Sequence, residues 1–365
     1  MHKPIGISAY LKNISISRTE EKRLEEISGI LQDSSIIITG GKGRSGFASQ
    51  IGARMLKTHK TNAFFYSDVG LPLKQSLAKT RTVALLTSSS GTTEEMVRLA
   101  EELKRLGSTI ISFTSYVTAP LAKLSDIVVP LPRRAKSEGG TYFERQVVTT
   151  EEPTMGDLPE ERSLFLFYLL AKMIRGMKAE PKQEIDAFKK WFTKNTDSIT
   201  EFKNWMKAYW NSGIMFVSRG TSNSVSSMVA NRATHYHMNC RLATSPTSTP
   251  LDHHELALII SGSADTAYGR MVDKIHRRMQ IRLSKSKKSS PAIVAVTGKS
   301  AGWLKECDAR LILGGADPDG RMLHTERLPQ AFYFRAPIVL NMVLRSIAAE
   351  KGLTEKFAEL RHINL

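Results

Sequence analysis

The sequence predicts a two-domain α/β protein in which each domain is a doubly wound parallel sheet with helices on both faces. Short, continuously apolar, β-branched runs alternate with longer segments whose apolar residues recur at helical spacing. This alternation is typical of strands that are buried on both faces of a parallel sheet. The same order of elements begins again near the middle of the 365-residue chain. We therefore predict a duplication, with domains over residues 1–180 and 181–365.

The first half contains five predicted strands and the helices between them. A capping box, Ser17 to Glu20, opens a helix that reaches Leu31. The strands are Ser35–Thr39, Ala63–Tyr66, Thr82–Leu86, Thr109–Phe113 and Asp126–Pro130, and the later helices are Phe47–Lys57, Thr93–Leu106, Pro120–Leu124 and Glu160–Lys178. A polar, irregular segment over residues 134–153 interrupts this pattern before the last helix, and a loop of that length is unusual unless it is functional.

The second half repeats the order with different side chains. It begins with one long helical stretch, and the rest of its elements follow the alternation of the first half. They are the helix Glu184–Trp210, the strands Ile214–Ser218, Glu255–Ile260, Pro291–Val296 and Ala309–Leu313, and the final helix Pro337–Glu350.

The segment from Thr87 to Glu94 is the most informative stretch of the chain. It joins a buried strand directly to an amphipathic helix through serines, threonines and Gly91. The first N–H groups of such a helix are free and carry the positive end of the helix dipole, which favours an anion. The hydroxyls of Ser88, Ser90 and Thr93 would add donors around a phosphate. A simpler alternative is that Thr92 or Thr93 only caps the helix.

A second small-residue loop, Gly41 to Gly46, follows the first predicted strand. In parallel sheets ligands bind at the carboxyl ends of the strands, where both loops lie. The Gly-x-Gly-x-x-Gly spacing also allows a dinucleotide site. The serine-rich loop argues against that alternative, as does the lack of a clear ribose-binding acid at the end of the strand that stops at Tyr66.

Composition excludes several classes of protein. No apolar run approaches the length of a membrane span, the first residues lack a secretory signal, and Cys240 and Cys307 are the only cysteines. We expect a cytoplasmic protein without a membrane association. The net charge of +17 attracts anions, but its lysines and arginines are scattered, so no specific nucleic-acid partner is predicted. The His235/His237 and His253/His254 pairs lack a metal-ligand spacing.

Together the two loops resemble those of the sugar isomerase (SIS) domain family, and within it the 6-phospho-3-hexuloisomerases. Four motifs carry the resemblance, which extends over residues 10–178 and over the last helix and the C-terminal tail. They are Gly41 to Gly46 (Gly-Lys-Gly-Arg-Ser-Gly), Ser88 to Glu94 (Ser-Ser-Ser-Gly-Thr-Thr-Glu), Met155 to Glu161 (Met-Gly-Asp-Leu-Pro-Glu-Glu) and Arg361 to Leu365 (Arg-His-Ile-Asn-Leu). Departures are Lys42 in place of a small residue, Asp157 to Pro159 ahead of Glu160, and the 134–153 insertion.

The resemblance implies flavodoxin-like sheets and a phosphosugar isomerase that interconverts aldose and ketose phosphates through an enediol, without metal or other cofactor. Glu160 would be the catalytic base and His362 would serve ring opening or proton shuttling. Glu160 could instead be a first-turn residue favoured by the helix dipole, equivalent to Glu161. The residues expected to bind the phosphate and sugar are Gly43, Arg44, Ser45, Ser88, Ser90, Gly91, Thr93 and Glu94. Arg44 could also only anchor its loop, and Glu94 could only favour the helix start.

The second half departs from the pattern at its candidate site. Thr221 replaces the loop arginine, Ala264 and Asp265 replace the loop glycine and its successor, and His324 stands where Glu160 would be. We expect an impaired second site, a homodimer that forms a pseudo-tetramer of SIS domains, and donation of His362 by the second domain to the first site. Two alternatives stay open: an amino-sugar phosphate isomerase or deaminase, and a phosphosugar-binding regulator without chemistry.

Overall fold

A computed structural model describes residues 7–68, 80–132, 158–245, 248–283, 291–315 and 330–353. The described residues fall into two compact units, the first extending to Lys190 and the second beginning at Trp191. That division lies inside a helix, ten residues after the predicted boundary at 180, which stays a prediction. Each unit has one five-stranded sheet in which every neighbouring pair of strands is parallel.

The first unit alternates strands and helices as predicted. Its helices are α1 (Ile7–Ile14), α2 (Arg18–Gln32), α3 (Gly43–Leu56), α4 (Glu94–Arg105), α5 (Pro120–Leu124) and α6 (Leu158–Met173). Its strands are β1 (Ile36–Gly41), β2 (Asn62–Phe65), β3 (Thr82–Thr87), β4 (Thr109–Thr114) and β5 (Ile127–Pro130), in the sheet order β2-β1-β3-β4-β5. That order is the flavodoxin-like arrangement of a doubly wound sheet, and the predicted fold class is confirmed.

Helices cover both faces of the first sheet. Ile110 packs with Met96 and Leu103 of α4, whereas the ring of Phe113 lies 5.2 Å from the ring of Phe167 in α6. Residues 110 and 113 of one strand point to opposite faces, so α4 and α6 lie on opposite sides. Helix α3 lies with α6: a Cβ on Gly52 would meet the Phe167 ring at 2.6 Å.

The second unit repeats this order of strands. Its strands are β6 (Ile214–Val217), β7 (Cys240–Leu242), β8 (Leu256–Ser261), β9 (Ala292–Thr297) and β10 (Ala309–Ile312), in the order β10-β9-β8-β6-β7. Its helices are α8 (Thr196–Ala208), α9 (Thr221–His235), α10 (Thr266–Leu283) and α11 (Phe332–Glu350), and α7 (Pro181–Lys194) contains the division between the units. Read in chain order, both sheets have the strand order 2-1-3-4-5, as expected of a duplication.

Two helix predictions in the second half were wrong. The single helix predicted over 184–210 is two helices, separated at Asn195, whose side-chain amide donates to the Trp191 carbonyl at 2.7 Å. Helix α11 begins at Phe332 and contains Pro337, which the prediction placed at its start. Burial of most side chains of α11 stabilises the helix despite the hydrogen bond that the proline cannot donate.

Among the described helices, α11 alone is long and apolar enough to cross a membrane by length and composition. In its most apolar window, 72% of the residues are buried inside the structure. That burial is the pattern of a core helix.

Candidate functional site

The two predicted loops meet at the centre of the first sheet. Strands β1 and β3 are neighbours, and Gly41 at the end of β1 is paired with Thr87 at the end of β3. The helices that follow, α3 and α4, lie on opposite faces. This divergence defines a topological switch point, the place where doubly wound sheets bind ligands.

The loop after β3 is held by its own hydroxyl groups. The Ser88 and Thr93 hydroxyl oxygens lie 3.0 Å apart, and the backbone N–H of Gly91 donates to Ser88 Oγ at 3.1 Å. Ser90 Oγ accepts hydrogen bonds from the backbone N–H and the hydroxyl of Thr92, at 3.3 and 3.0 Å. The serines and threonines that the sequence indicated as phosphate donors are therefore clustered in one compact turn.

Thr93 occupies the N-cap position of α4 but does not use its side chain as a cap. Its hydroxyl contacts Ser88 instead, and in the described part of the chain the backbone N–H groups of Ser90, Glu94 and Glu95 have no acceptor. The capping alternative therefore does not account for Thr93. Free N–H groups at the start of a helix, beside hydroxyl donors, are the arrangement that binds phosphate groups.

Gly91 determines the shape of this turn. Its φ of +65° lies in the left-handed region, which side chains with a Cβ rarely adopt. A Cβ at this position would also lie 2.5 Å from the Ala119 Cβ and 2.8 Å from Thr114 Oγ1. The Gly91 carbonyl accepts the backbone N–H of Leu121 at 3.0 Å, which ties the turn to α5.

The loop after β1 is shorter than predicted, because α3 begins at Gly43 rather than at Phe47. Gly43 has a φ of +56°, a left-handed conformation that glycine adopts without strain because it has no Cβ. Arg44 and Ser45 therefore lie in the first turn of the helix, where they are 6% and 7% exposed. Lys42 is the N-cap residue and makes no side-chain cap bond.

Glu160 lies next to this first turn. It is 2% exposed at the start of α6, and its Oε1 accepts a hydrogen bond from Ser45 Oγ at 3.4 Å. Its neighbour Glu161 is fully buried and accepts a hydrogen bond from the Tyr10 hydroxyl in α1. The two glutamates thus have different partners: Glu160 contacts Ser45 in the first turn of α3, and Glu161 contacts Tyr10 in α1.

Glu94 is placed differently from the other predicted binding residues. Its carboxylate forms an ion pair with Arg98 one turn along α4, and both side chains are largely exposed. His362, His324, Asp157 and the 134–153 insertion lie outside the described residues. The roles predicted for Glu94 and His362 stay predictions.

Two features of the site were missed by the sequence analysis. The ammonium of Lys42 lies 2.8 Å from the carboxylate of Glu95, so the two loops are joined by an ion pair. The hydrogen bond that the Lys42 ammonium donates to Glu95, together with the negative charge of that carboxylate, raises the pKa of Lys42. Tyr10 is the second feature, and no local pattern indicated it because its partner Glu161 lies 151 residues away.

No metal centre is visible in the part of the chain that the structure describes, where no three His, Cys, Asp or Glu side chains are grouped to hold an ion. The rings of His253 and His254 lie 3.7 Å apart, and His253 contacts the carboxylate of Asp252. The metal independence expected from the sequence stays a prediction.

The corresponding turn of the second unit is closed by its own side chain. The carboxylate of Asp265 accepts the backbone N–H of Ala267, in the first turn of α10, at 2.8 Å. Ala264 has a φ of +49°, matching the left-handed position of Gly91, and its carbonyl accepts the indole N–H of Trp303 at 3.1 Å. The backbone Gly262 N–H donates to Ser222 Oγ, which lies in the first turn of α9, at 3.2 Å.

These features define a duplicated, doubly wound α/β protein whose first sheet has two small-residue loops at its switch point. Residues 30–149, which lie in the first unit, match the SIS domain. Over 110 residues the chain is 32% identical to a 3-hexulose-6-phosphate isomerase of Mycobacterium gastri, covering 30% of this chain and 53% of that protein. An arabinose 5-phosphate isomerase of Pseudomonas aeruginosa is 28% identical over 132 residues, covering 34% of this chain and 39% of that protein.

The chain thus spans about half or less of the length of these two curated relatives. The whole fold is similar to that of a tagatose-6-phosphate ketose/aldose isomerase from Escherichia coli. The TM-score is 0.62 at 14% identity, and the match covers 96% of this chain and 93% of that one. At this identity the likeness concerns the fold alone, and it extends over both units.

Proposed function

We propose that the first unit binds a phosphorylated sugar and interconverts its aldose and ketose forms through an enediol, with a hexulose 6-phosphate as the first candidate substrate. The observation that carries this proposal is the contact between Ser45 and Glu160. It brings a buried carboxylate to the switch point at which the hydroxyl-rich turn and the free N–H groups of α4 also lie.

In the proposed reaction the phosphate is held by the N–H groups of Glu94 and Glu95 and by the hydroxyls of Ser88 and Ser90. Fixing the phosphate orients the sugar, which can contribute several kcal/mol to lowering the barrier. The Glu160 carboxylate removes a proton from the carbon next to the carbonyl, and the electron pair forms the enediol. Glu160 then returns the proton to the neighbouring carbon, so no redox change takes place.

A second acid/base must move the proton between the two oxygen atoms of the enediol. We keep His362 as the proposed group, together with its donation by the second unit, on the ground of its terminal motif alone. The homodimer, the cytoplasmic location and the absence of a cofactor stay predictions in the same sense.

The experiment measures solvent exchange with a panel of hexose and hexulose phosphates in heavy water. We expect deuterium to enter at the carbon next to the carbonyl, and Glu160→Gln to lower the rate by about a hundredfold to ten-thousandfold, the usual contribution of a general base. Glu161→Gln is the matched control, since it makes the same change one residue away and should retain exchange.

Three results distinguish the alternatives. Ammonia release from glucosamine 6-phosphate would identify a deaminase. Thermal stabilisation by sugar phosphates without exchange would identify a binding protein. Equal losses in Glu160→Gln and Glu161→Gln would show that burial of the glutamates, and not base chemistry, accounts for the effect.

A further inference from the structure

The ion pair between Lys42 and Glu95 lies between the two segments that would enclose the ligand. Lys42 immediately precedes α3, and Glu95 is the second residue of α4. The side chains are 59% and 54% exposed, so both charged groups are accessible to solvent. The ammonium is therefore held by a residue of the first turn of α4, the same turn that presents the free N–H groups of Glu94 and Glu95.

The fold itself gives little reason for a lysine at this position. Ser, Thr, Asp and Asn are the favoured N-cap residues, and a cation is unfavourable at the positive end of a helix dipole. The side chain of Lys42 makes no cap bond, and an exposed ion pair adds little stability. A bound anion would make the position favourable for a cation, because the ammonium would then have a negatively charged partner at the place where α3 and α4 begin.

The second unit supplies an independent comparison. By the alignment of the loops, Arg219 corresponds to Lys42 and Tyr268 to Glu95. The contact between the loops is kept there, since the backbone N–H of Arg219 donates to the Tyr268 oxygen, while burial raises the pKa of that hydroxyl to about 12. The residue that corresponds to Glu95 is thus a neutral tyrosine that accepts a backbone N–H in the unit whose turn is closed by Asp265. In the unit whose turn is open, it is a carboxylate that pairs with the Lys42 ammonium.

Resting on the proposed function, we propose that Lys42 moves its ammonium from Glu95 to the phosphate of the bound sugar. The site would then favour ligands with a doubly charged phosphate monoester, because Glu95 holds the ammonium in place until such a charge competes for it. The long, flexible stem of lysine permits this exchange of partners, and its compact charge suits a phosphate oxygen. The free-energy cost of separating Glu95 from Lys42 is small, because the Glu95 carboxylate is exposed and water solvates it.

The decisive comparison is between Glu95→Gln and the double variant Lys42→Ala/Glu95→Gln. The probe is inorganic phosphate, measured by titration calorimetry at low ionic strength with the full chain. We expect Glu95→Gln to bind more tightly than the unchanged chain, because the competing carboxylate is gone. The double variant should bind about fivefold or more weakly than Glu95→Gln, the worth of one charge-assisted hydrogen bond.

Lys104→Ala is the matched control. It removes the same charge from the other end of α4, where Lys104 lies 3.4 Å from Asp126, and should leave phosphate affinity nearly unchanged. Thermal unfolding of each variant confirms that these exposed substitutions leave the unit folded.

Equal affinity of Glu95→Gln and the double variant would overturn the inference, since Lys42 would then only neutralise Glu95. An equal loss in Lys104→Ala would also overturn it, by showing an effect of net charge. Absence of phosphate and fructose 6-phosphate binding by the unchanged chain would overturn the proposed function as well, so the two failures are distinguishable.

Discussion

Two turns of this molecule have similar backbone conformations but differ in the charge that they present. One precedes α4 in the first unit, and the other precedes α10 in the second. Gly91 and Ala264 both have positive φ values. The Gly91 carbonyl accepts the backbone N–H of Leu121, and the Ala264 carbonyl accepts the indole N–H of Trp303. The next residue differs. Thr92 bonds to Ser90, whereas Asp265 turns its carboxylate onto an N–H group of its own helix.

This difference shows how two turns of similar backbone shape can present opposite charge to an anion. A carboxylate at a helix N-terminus satisfies the N–H groups and the dipole that would otherwise attract a phosphate. It also repels a second negative charge placed there. Among the described residues, the N–H groups of Glu94 and Glu95 in the first unit have no acceptor, and the buried Glu160 contacts Ser45 in the first turn of α3.

The largest effect is expected from exchanging the residues at the left-handed positions. Gly91→Ala should lower the free energy of unfolding of the first unit by about 2–4 kcal/mol and weaken phosphate binding, because of the strained φ and the contacts with Ala119 and Thr114. The reverse change, Ala264→Gly, should alter the second unit by less than about 1 kcal/mol, since relief of strain is offset by chain entropy. Urea unfolding with both variants measures this, and equal losses would contradict the comparison.

An intermediate effect is expected from Asp265→Ser. Serine keeps an acceptor for the N–H of Ala267 but removes the charge, so the second turn should gain phosphate affinity by about tenfold. Titration calorimetry should show a second, weaker site per chain. Asp273→Ser, which removes the same charge further along α10, is the control. If neither variant adds a site, a feature other than Asp265 closes the second turn.

The smallest effect concerns the pH dependence of the second unit. Burial raises the pKa of Glu255, but hydrogen bonds from Arg241 and from the Asp252 N–H outweigh it and lower the pKa below its ordinary value of 4.5. The contribution to stability is therefore complete above about pH 4.5 and is lost as the pH falls through the lowered pKa.

Glu255→Gln should accordingly cost about 1 kcal/mol of unfolding free energy at pH 7 and less at pH 3, as measured by urea unfolding at both values. A cost for Glu255→Gln that is the same at both pH values would show that packing, and not charge, is responsible.

Much of the fold was predictable because buried parallel strands are continuous apolar runs. The ten strands include nine that the sequence indicated within one or two residues. The exception is β7, whose three residues are only half-buried, so no apolar run marks it. Helix α1 was missed for a related reason: a helix of eight residues is stabilised by packing, here of Tyr10, Leu11 and Ile14, and not by its own propensity.

Local patterns by themselves determined the strand–turn–helix units and the two small-residue loops, because each depends on neighbours a few residues away. Three contacts were decided only by the tertiary structure. Ser45 contacts Glu160 across 115 residues, the Tyr10 hydroxyl donates to the Glu161 carboxylate, and Lys42 forms an ion pair with Glu95. Such pairs follow from the order of strands in the sheet and from which faces α3, α4 and α6 cover. Periodicity along the chain carries no information about that order.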